Sequence, residues 1–248
     1  MIATPHTAHV VTLTQTMPVA RFVVLDLETG DAPEDAIQAA IRQWKAPSNW
    51  KPETVEKNRA EQAEKIREKA ALLDASPILC AGLRSDREAV MFNGMGDTGP
   101  LDLPGWTIES HPDECAMLAA LGQWLNAHTD DVTALVGHNV RGFDLPKLRG
   151  GFVRHRLPLP ACLKPRDGQG QPVTDTMSLF KSFSMEHRDD FAVSLDVVAT
   201  AFGIPRPKQY VSGADVPRLH REGQIAAILT YNAIDIDATA EIYRRMMA

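Results

Sequence analysis

The chain has 248 residues, with 26 Lys and Arg against 32 Asp and Glu, for a formal charge of −6. That length suits one large domain or two small ones; 44% hydrophobic residues can fill a core, and 23% charged residues exclude a wholly disordered chain. No apolar run approaches the roughly 18–20 residues that a membrane-spanning helix needs, and the acidic balance by itself points away from nucleic acid, whose binding usually shows as a basic surplus.

The Thr-rich stretch Met1–Met17 lacks the basic-then-apolar layout of a secretory signal. It reads either as a flexible extension or as an added edge strand, with Met17 as an alternative start. Residues 1–18 are therefore set apart as an extension from a single domain over residues 19–248. Arg21–Leu27 is apolar on both alternating faces until Asp26, as expected for a central strand covered on both sides. Asp31–Trp44 carries Ile37, Ala40, Ile41 and Trp44 at helical spacing, with Asp31 and Pro33 as start signals. A break over Lys45–Pro52 precedes a second helix, Glu53–Leu73, whose stripe is Ala63, Ile66, Ala70 and Leu73. Glu53/Lys57 and Glu61/Lys65 form i,i+4 pairs on its other side, and the charge run reads as a solvated face rather than a binding surface.

Pro77–Arg84 and Ala89–Asn93 flank a short polar turn and predict a hairpin. After a Gly/Pro-rich loop to Gly105, Ser110-His-Pro-Asp113 resembles a capping box that opens a helix with Leu118, Leu121, Trp124 and Leu125 inward. Thr133–Val136 is a short buried strand, and Phe143–Arg156 a helix interrupted by Gly150-Gly151. Leu157–Pro172 is a Pro/Gly-rich loop and Val173–Thr176 a last short strand. Ser194–Phe202 is a helix stopped by Gly203, and Gln224–Met247 a long terminal helix. This order predicts an α/β domain: a mixed sheet flanked by helices. Cys80, Cys115 and Cys162 stand far apart with no C-x-x-C pair, which fits a reducing cytoplasm and neither a disulfide framework nor a zinc site.

Three constellations carry chemistry. Asp26 and Glu28 leave the first strand on one face, about 7 Å apart, because strand side chains alternate. Two acids projecting together from an apolar strand need compensation, which a divalent cation supplies; the competing reading is two solvated acids in a strand-end turn. Asp144, in His138-Asn139-Val140-Arg141-Gly142-Phe143-Asp144, falls at a strand-to-helix junction, where ligands are commonly held. Viewed alone it is more often a helix N-cap than a ligand, with His138 and Asn139 shaping the turn. Tyr231 and Asp235 lie one helical turn apart in a stripe that runs Ile228, Tyr231, Asp235, Ala238 and Ile242. Asp235 interrupts an inward row and would need a partner, whereas Asp237 and Glu241 can face water; the alternative is a boundary Tyr with an exposed Asp.

Taken together, the three pieces resemble the DEDD superfamily of 3′–5′ exonucleases, which have a ribonuclease H-like fold. Asp26 and Glu28 match its first motif, Asn139-x-x-x-Phe143-Asp144 its second, and Tyr231-x-x-x-Asp235 the tyrosine form of its third; the histidine form would place His at Thr230. Ser194-Leu195-Asp196, Gly203-Ile204, Lys208 and Gly213-x-x-Val216 extend the match toward stand-alone exonucleases related to the proofreading domain of family-B DNA polymerases. The chain departs from them in its N-terminal extension and in a helical insertion over about 31–75.

The resemblance implies four carboxylates, Asp26, Glu28, Asp144 and Asp235, holding two Mg²⁺ or Mn²⁺ ions, with Tyr231 orienting the attacking water. It also implies contacts from Leu27, Thr29, His138, Asn139, Arg141 and Phe143 to the terminal nucleotide of single-stranded DNA or another 3′ end. The expected reaction releases nucleoside 5′-monophosphates, and a polymerase or another replication or repair protein is the expected partner, with no membrane. An exoribonuclease of the same fold and an inactive nucleic-acid-binding domain are the alternatives. His138–Arg166, with Arg141, Lys147, Arg149, Arg154, Arg156, Lys164 and Arg166 against the single acid Asp144, reads as a phosphate track in which about half of the cations only solvate the surface.

Overall fold

The computed structural model describes residues 21–164, 172–205 and 211–248. The N-terminal extension, Lys208 and residues 165–171 of the 157–172 loop, Arg166 among them, lie outside them. β1 (Phe22–Thr29) is followed by α1 (Glu34–Gln43), α2 (Pro52–Glu68) and a 3-10 turn over Ala70–Leu72. Then come β2 (Ile78–Ser85), β3 (Ala89–Asn93), β4 (Thr107–Ser110), α3 (Glu114–His128), β5 (Ala134–Gly137) and α4 (Asp144–Arg154). The chain closes with β6 (Val173–Asp175), α5 (Thr176–Phe183), α6 (Leu195–Ala201), α7 (Val216–Arg221) and α8 (Ile225–Met247). Among the described residues six strands form one mixed sheet in the order β4-β3-β2-β1-β5-β6. β1–β2 and β2–β3 are antiparallel, while β1–β5, β3–β4 and β5–β6 are parallel.

The two faces of β1 divide the core. Val23, Leu25 and Leu27 pack with Leu118, Leu121 and Leu125 of α3 and with Leu145, Leu148 and Phe152 of α4. On the opposite face Val24 packs with Ile236 and Ala240 of α8 and with Val136 of β5. Burying these wholly apolar side chains at roughly 25 cal/mol per Å² drives the sandwich of sheet between helices. Asp26 and Glu28 follow Val24 on the α8 face by alternation.

Several expectations need correction. Ser110 ends β4, and the cap of α3 is Asp113, whose carboxylate accepts from the Ala116 amide. The four-residue β4 pairs at the sheet edge with mostly exposed side chains, so its pattern carries no alternation that would announce it. α4 runs unbroken through Gly150 and Gly151. A Cβ at Gly151 would approach Leu118 Cδ1 at 3.0 Å and Ile78 Cδ1 at 3.2 Å, so this glycine serves close packing of α4 on its neighbours rather than a break. α5 and α7 were not anticipated; both are short, and α5 begins at a capping acid, Asp175, that sequence alone leaves inside a strand.

Cys80, Cys115 and Cys162 are free, with Cys80 and Cys162 buried. Among the described residues no helix is long and apolar enough to cross a membrane.

Candidate active site

β5 pairs with β1 only over Phe22–Val24, and its chain then turns away after Gly137. Leu27, three residues beyond the last paired position, is therefore free to donate its amide to a side chain. Asp144 Oδ1 accepts it at 3.1 Å. Gly137 lets this divergence happen: a Cβ there would meet Leu25 O at 2.9 Å and Val140 Cβ at 2.7 Å, so backbone must pass where a side chain would stand. Asp144 is the first residue of α4 and not its cap, which is Phe143 with no side-chain bond. The N-cap alternative therefore fails, and a buried carboxylate bonds across to the central strand. Burial, reinforced by Asp175, pushes its carboxyl up to about 8, while the Leu27 amide works in the other direction.

Asp26 and Glu28 sit within β1, Asp26 half-buried and Glu28 buried, so neither is a solvated acid of a strand-end turn. Asp26 Oδ2 accepts from Asn232 Nδ2 at 2.7 Å. Asn232 lies one position after Tyr231 on α8 and is fully buried, a residue the sequence did not single out. Tyr231 and Asp235 are 4% and 5% exposed, which removes the boundary reading of that pair. Burial first, and then the carboxylates of Asp235, Glu28 and Asp26, push the Tyr231 phenol well above its ordinary value, with a hydrogen bond to Asp235 contributing. Asp237, by contrast, faces outward to Arg84 at 2.6 Å.

These side chains share one cavity of about 220 Å³, lined by Asp26, Glu28, Asp144, Tyr231 and Asp235 together with Leu27, Thr29, His138, Asn139 and Phe143. Arg141 is the exception. Its guanidinium turns to the Val173 carbonyl at 2.5 Å, outside the lining. The other expected nucleotide contacts are largely occupied in building the site. Leu27 gives its amide to Asp144, and Thr29 Oγ1 donates to Ala71 O at 2.9 Å. His138 Nε2 donates to Val193 O at 2.7 Å, since a carbonyl can only accept, while Nδ1 faces Thr176 Oγ1 at 3.1 Å.

Asp175, which the sequence also left unmarked, builds the turn that carries Asn139. Its carboxylate accepts from the amides of Asn139, Arg141, Met177 and Ser178. One acid thus caps α5 and pins the His138–Arg141 turn, where Asn139 adopts φ 60, a left-handed conformation that Asn tolerates. No local signal could have revealed this, because the partners lie 34 and 36 residues away.

The cations of the expected phosphate track are also committed. Lys147 is 7% exposed and donates to Leu73 O and Ser76 Oγ; burial lowers its pKa. Arg149 Nε donates to Leu163 O, and Arg154 binds Asp74 O and Glu114. Half or more of that stretch is therefore structural.

The donor set suits a hard divalent cation: four carboxylates face one cavity with no thiolate or imidazole nitrogen turned to them. Among the described residues, no three His, Cys, Asp or Glu side chains stand close enough together to hold a metal ion as they are placed. The cavity thus offers open carboxylates, two of them fixed by hydrogen bonds to Asn232 and Leu27.

Comparison with known proteins places this geometry in context. Residues 106–248 match the family described as a predicted 3′–5′ exonuclease related to the exonuclease domain of PolB. No curated protein matches the chain in sequence. Among solved structures it is similar to the family B DNA polymerase from the hyperthermophilic archaeon Pyrobaculum calidifontis, with a TM-score of 0.55 and 15% identity over 93% of this chain. The match covers 25% of the polymerase, so the chain spans about a quarter of its length. At that identity the likeness shows the fold, a mixed sheet flanked by helices of the ribonuclease H-like kind.

Proposed function

This chain belongs to the family of predicted 3′–5′ exonucleases related to the exonuclease domain of PolB, and from that premise we propose that it shortens single-stranded DNA from the 3′ end. It releases nucleoside 5′-monophosphates. The observation that carries this reading is the convergence of Asp26, Glu28, Asp144, Tyr231 and Asp235, drawn from three distant motifs, on one cavity. An acid-lined cavity repels a phosphodiester unless cations intervene. The carboxylates are therefore assigned to hold two Mg²⁺ or Mn²⁺ ions, which when bound supply a low-pKa water and charge neutralisation at the phosphate.

The protein's own residues position the reactants. Asp144, held by the Leu27 amide, and Asp26, held by Asn232, present oxygens in fixed directions. Tyr231 stays protonated at neutral pH, because its surroundings raise its pKa. Its hydroxyl therefore orients water and does not act as the bare base. This assignment is the tyrosine form of the DEDD chemistry. His138 and Asn139 border the cavity where the terminal nucleotide sits.

The test is incubation of 5′-labelled single-stranded DNA, duplex DNA and RNA with Mg²⁺ or Mn²⁺. Progressive shortening from the 3′ end, strongest on single-stranded DNA and abolished in Asp144→Ala, is expected. An internal cut pattern, or a ladder that survives Asp144→Ala, overturns the reading. A ladder from RNA alone transfers it to an exoribonuclease.

A further inference from the structure

We propose that the inserted helices α1 and α2 carry a docking groove for the single-stranded stretch that lies upstream of the substrate's 3′ end. The inference rests on the exonuclease reading, and names what holds the rest of the strand. A groove of about 510 Å³ runs between the two helices, bordered by Trp44, Lys65, Ile66, Lys69 and Leu72. Leu72 also lines the cavity of the four carboxylates. One side chain thus borders both spaces, and the groove lies beside the site across the turn that carries Leu72.

The insertion is fixed to the site at its inner end. Thr29, on the strand that bears Asp26 and Glu28, donates to Ala71 O. The Leu73 carbonyl takes the buried ammonium of Lys147, from the helix that begins with Asp144. The groove therefore has a set position relative to both acidic elements. Its outer part is otherwise hard to account for by packing. α2 spans 17 residues and buries none of them, although helices of this kind normally owe their stability to an apolar face covered by the core.

The chemistry of the lining is the reverse of the cavity's. No acid borders the groove, whose polar residues are Lys65, Lys69, Gln43 and Gln62. Lys65 also pairs with Glu61 at 2.6 Å. Trp44, half-buried, is steadied by Trp50 with ring centroids 6.5 Å apart. An aromatic face with flanking ammonium groups is what a single strand uses: bases stack on the ring and phosphates meet the cations, without sequence preference. The basic residues of 138–166 are largely spent on internal bonds, so a strand leaving the acidic cavity finds its cations here.

The test uses the full chain with Trp44→Ala and, on the exposed face, Lys69→Glu. With chelator present to prevent cleavage, anisotropy of a twelve-nucleotide oligothymidylate labelled at its 5′ end should show Kd weakened about tenfold in each variant, within the range expected for one lost stack or phosphate contact. With metal, KM for that oligonucleotide should rise about tenfold with kcat within about twofold. Hydrolysis of the p-nitrophenyl ester of thymidine 5′-phosphate, too short to reach the groove, should lose at least about fivefold less. Unchanged binding in the folded Lys69→Glu protein overturns the proposal, including the case in which this face docks a partner protein. Equal losses on both substrates also overturn it, since the insertion then only shapes the cavity wall. Wild-type protein that cleaves neither substrate overturns the exonuclease reading instead, while the binding comparison still decides the groove.

Discussion

The side-chain amide of Asn232 donates to Asp26 Oδ2 at 2.7 Å, joining residues 206 positions apart on α8 and β1. It binds the helix that carries Tyr231 and Asp235 to the strand that carries Asp26 and Glu28. Asn232→Ala leaves that carboxylate without its fixed donor, and should lower stability by about 1–3 kcal/mol. Activity should fall by about tenfold. Asn232→Asp should be worse, since it adds a like charge beside two acids. Thermal unfolding and single-turnover rates check both; an Asn232→Ala protein with the wild-type rate would show that Asp26 needs no alignment.

The same helix rests on bare backbone. Gly82 of β2 pairs with Asp26 in the sheet register. A Cβ at Gly82 would stand inside contact distance of Ile236 Cδ1 and Asn232 Oδ1, both on α8. Gly82→Ala must push α8 off the sheet, so it should cost about 1–3 kcal/mol in urea unfolding. Catalysis should drop along with it, because the shift moves Tyr231 and Asp235. A stable, fully active Gly82→Ala protein would mean that α8 tolerates a different seat.

What the sequence made legible followed from burial patterns that are local. The apolar run of β1, the β2–β3 hairpin and the stripe of α8 each repeat with a period that fits one element, and all three stand where expected. Asp26, Glu28 and Asp235 were legible as candidates because acids interrupt those apolar rows, Tyr231 because it stands one turn from Asp235, and Asp144 by its place at a strand-to-helix junction. Asp175 and Asn232 were not, since each is an unremarkable polar residue until folding brings its partner from 34 or more positions away. Gly150-Gly151 misled for a different reason: a glycine pair weakens a helix locally, but tertiary packing holds α4 through it. Space is open around Gly150, where an added Cβ has nothing within 4 Å. Gly150→Ala should therefore stabilise the protein by about 0.5–1 kcal/mol; a loss of stability in denaturant unfolding would argue that α4 does break there.

Tyr231 separates positioning from base chemistry. Its phenol is buried against Asp235, Glu28 and Asp26, all of which disfavour a phenolate. Tyr231→Phe removes the hydroxyl but keeps the ring, so kcat should fall about ten- to hundredfold. Asp144→Ala, which removes a proposed cation ligand, should lose about a thousandfold or more. The pH–rate profile of Tyr231→Phe should keep the wild-type shape. Equal losses, or a pH limb that vanishes with the hydroxyl, would assign the proton transfer to Tyr231.

At Asp144 the proposed role as a cation ligand is set against stability. Its carboxyl is pushed up to about 8 by burial, against about 3.9 in an unfolded chain. With chelator present, the folded protein holds a proton over that interval which the unfolded chain has released. Stability should therefore fall as pH rises from about 4 to about 8 and level off above. Asp144→Asn keeps an oxygen for the Leu27 amide and buries no ionisable group. Its Tm should exceed that of wild type under chelation, with the gap widening over the same interval. Added Mg²⁺ or Mn²⁺ should then raise the Tm of wild type, because the cation binds only the folded form, and should do far less for the variant. A gap that stays constant with pH would show that burial does not set the Asp144 carboxyl, and equal metal responses would remove Asp144 from the ligand set.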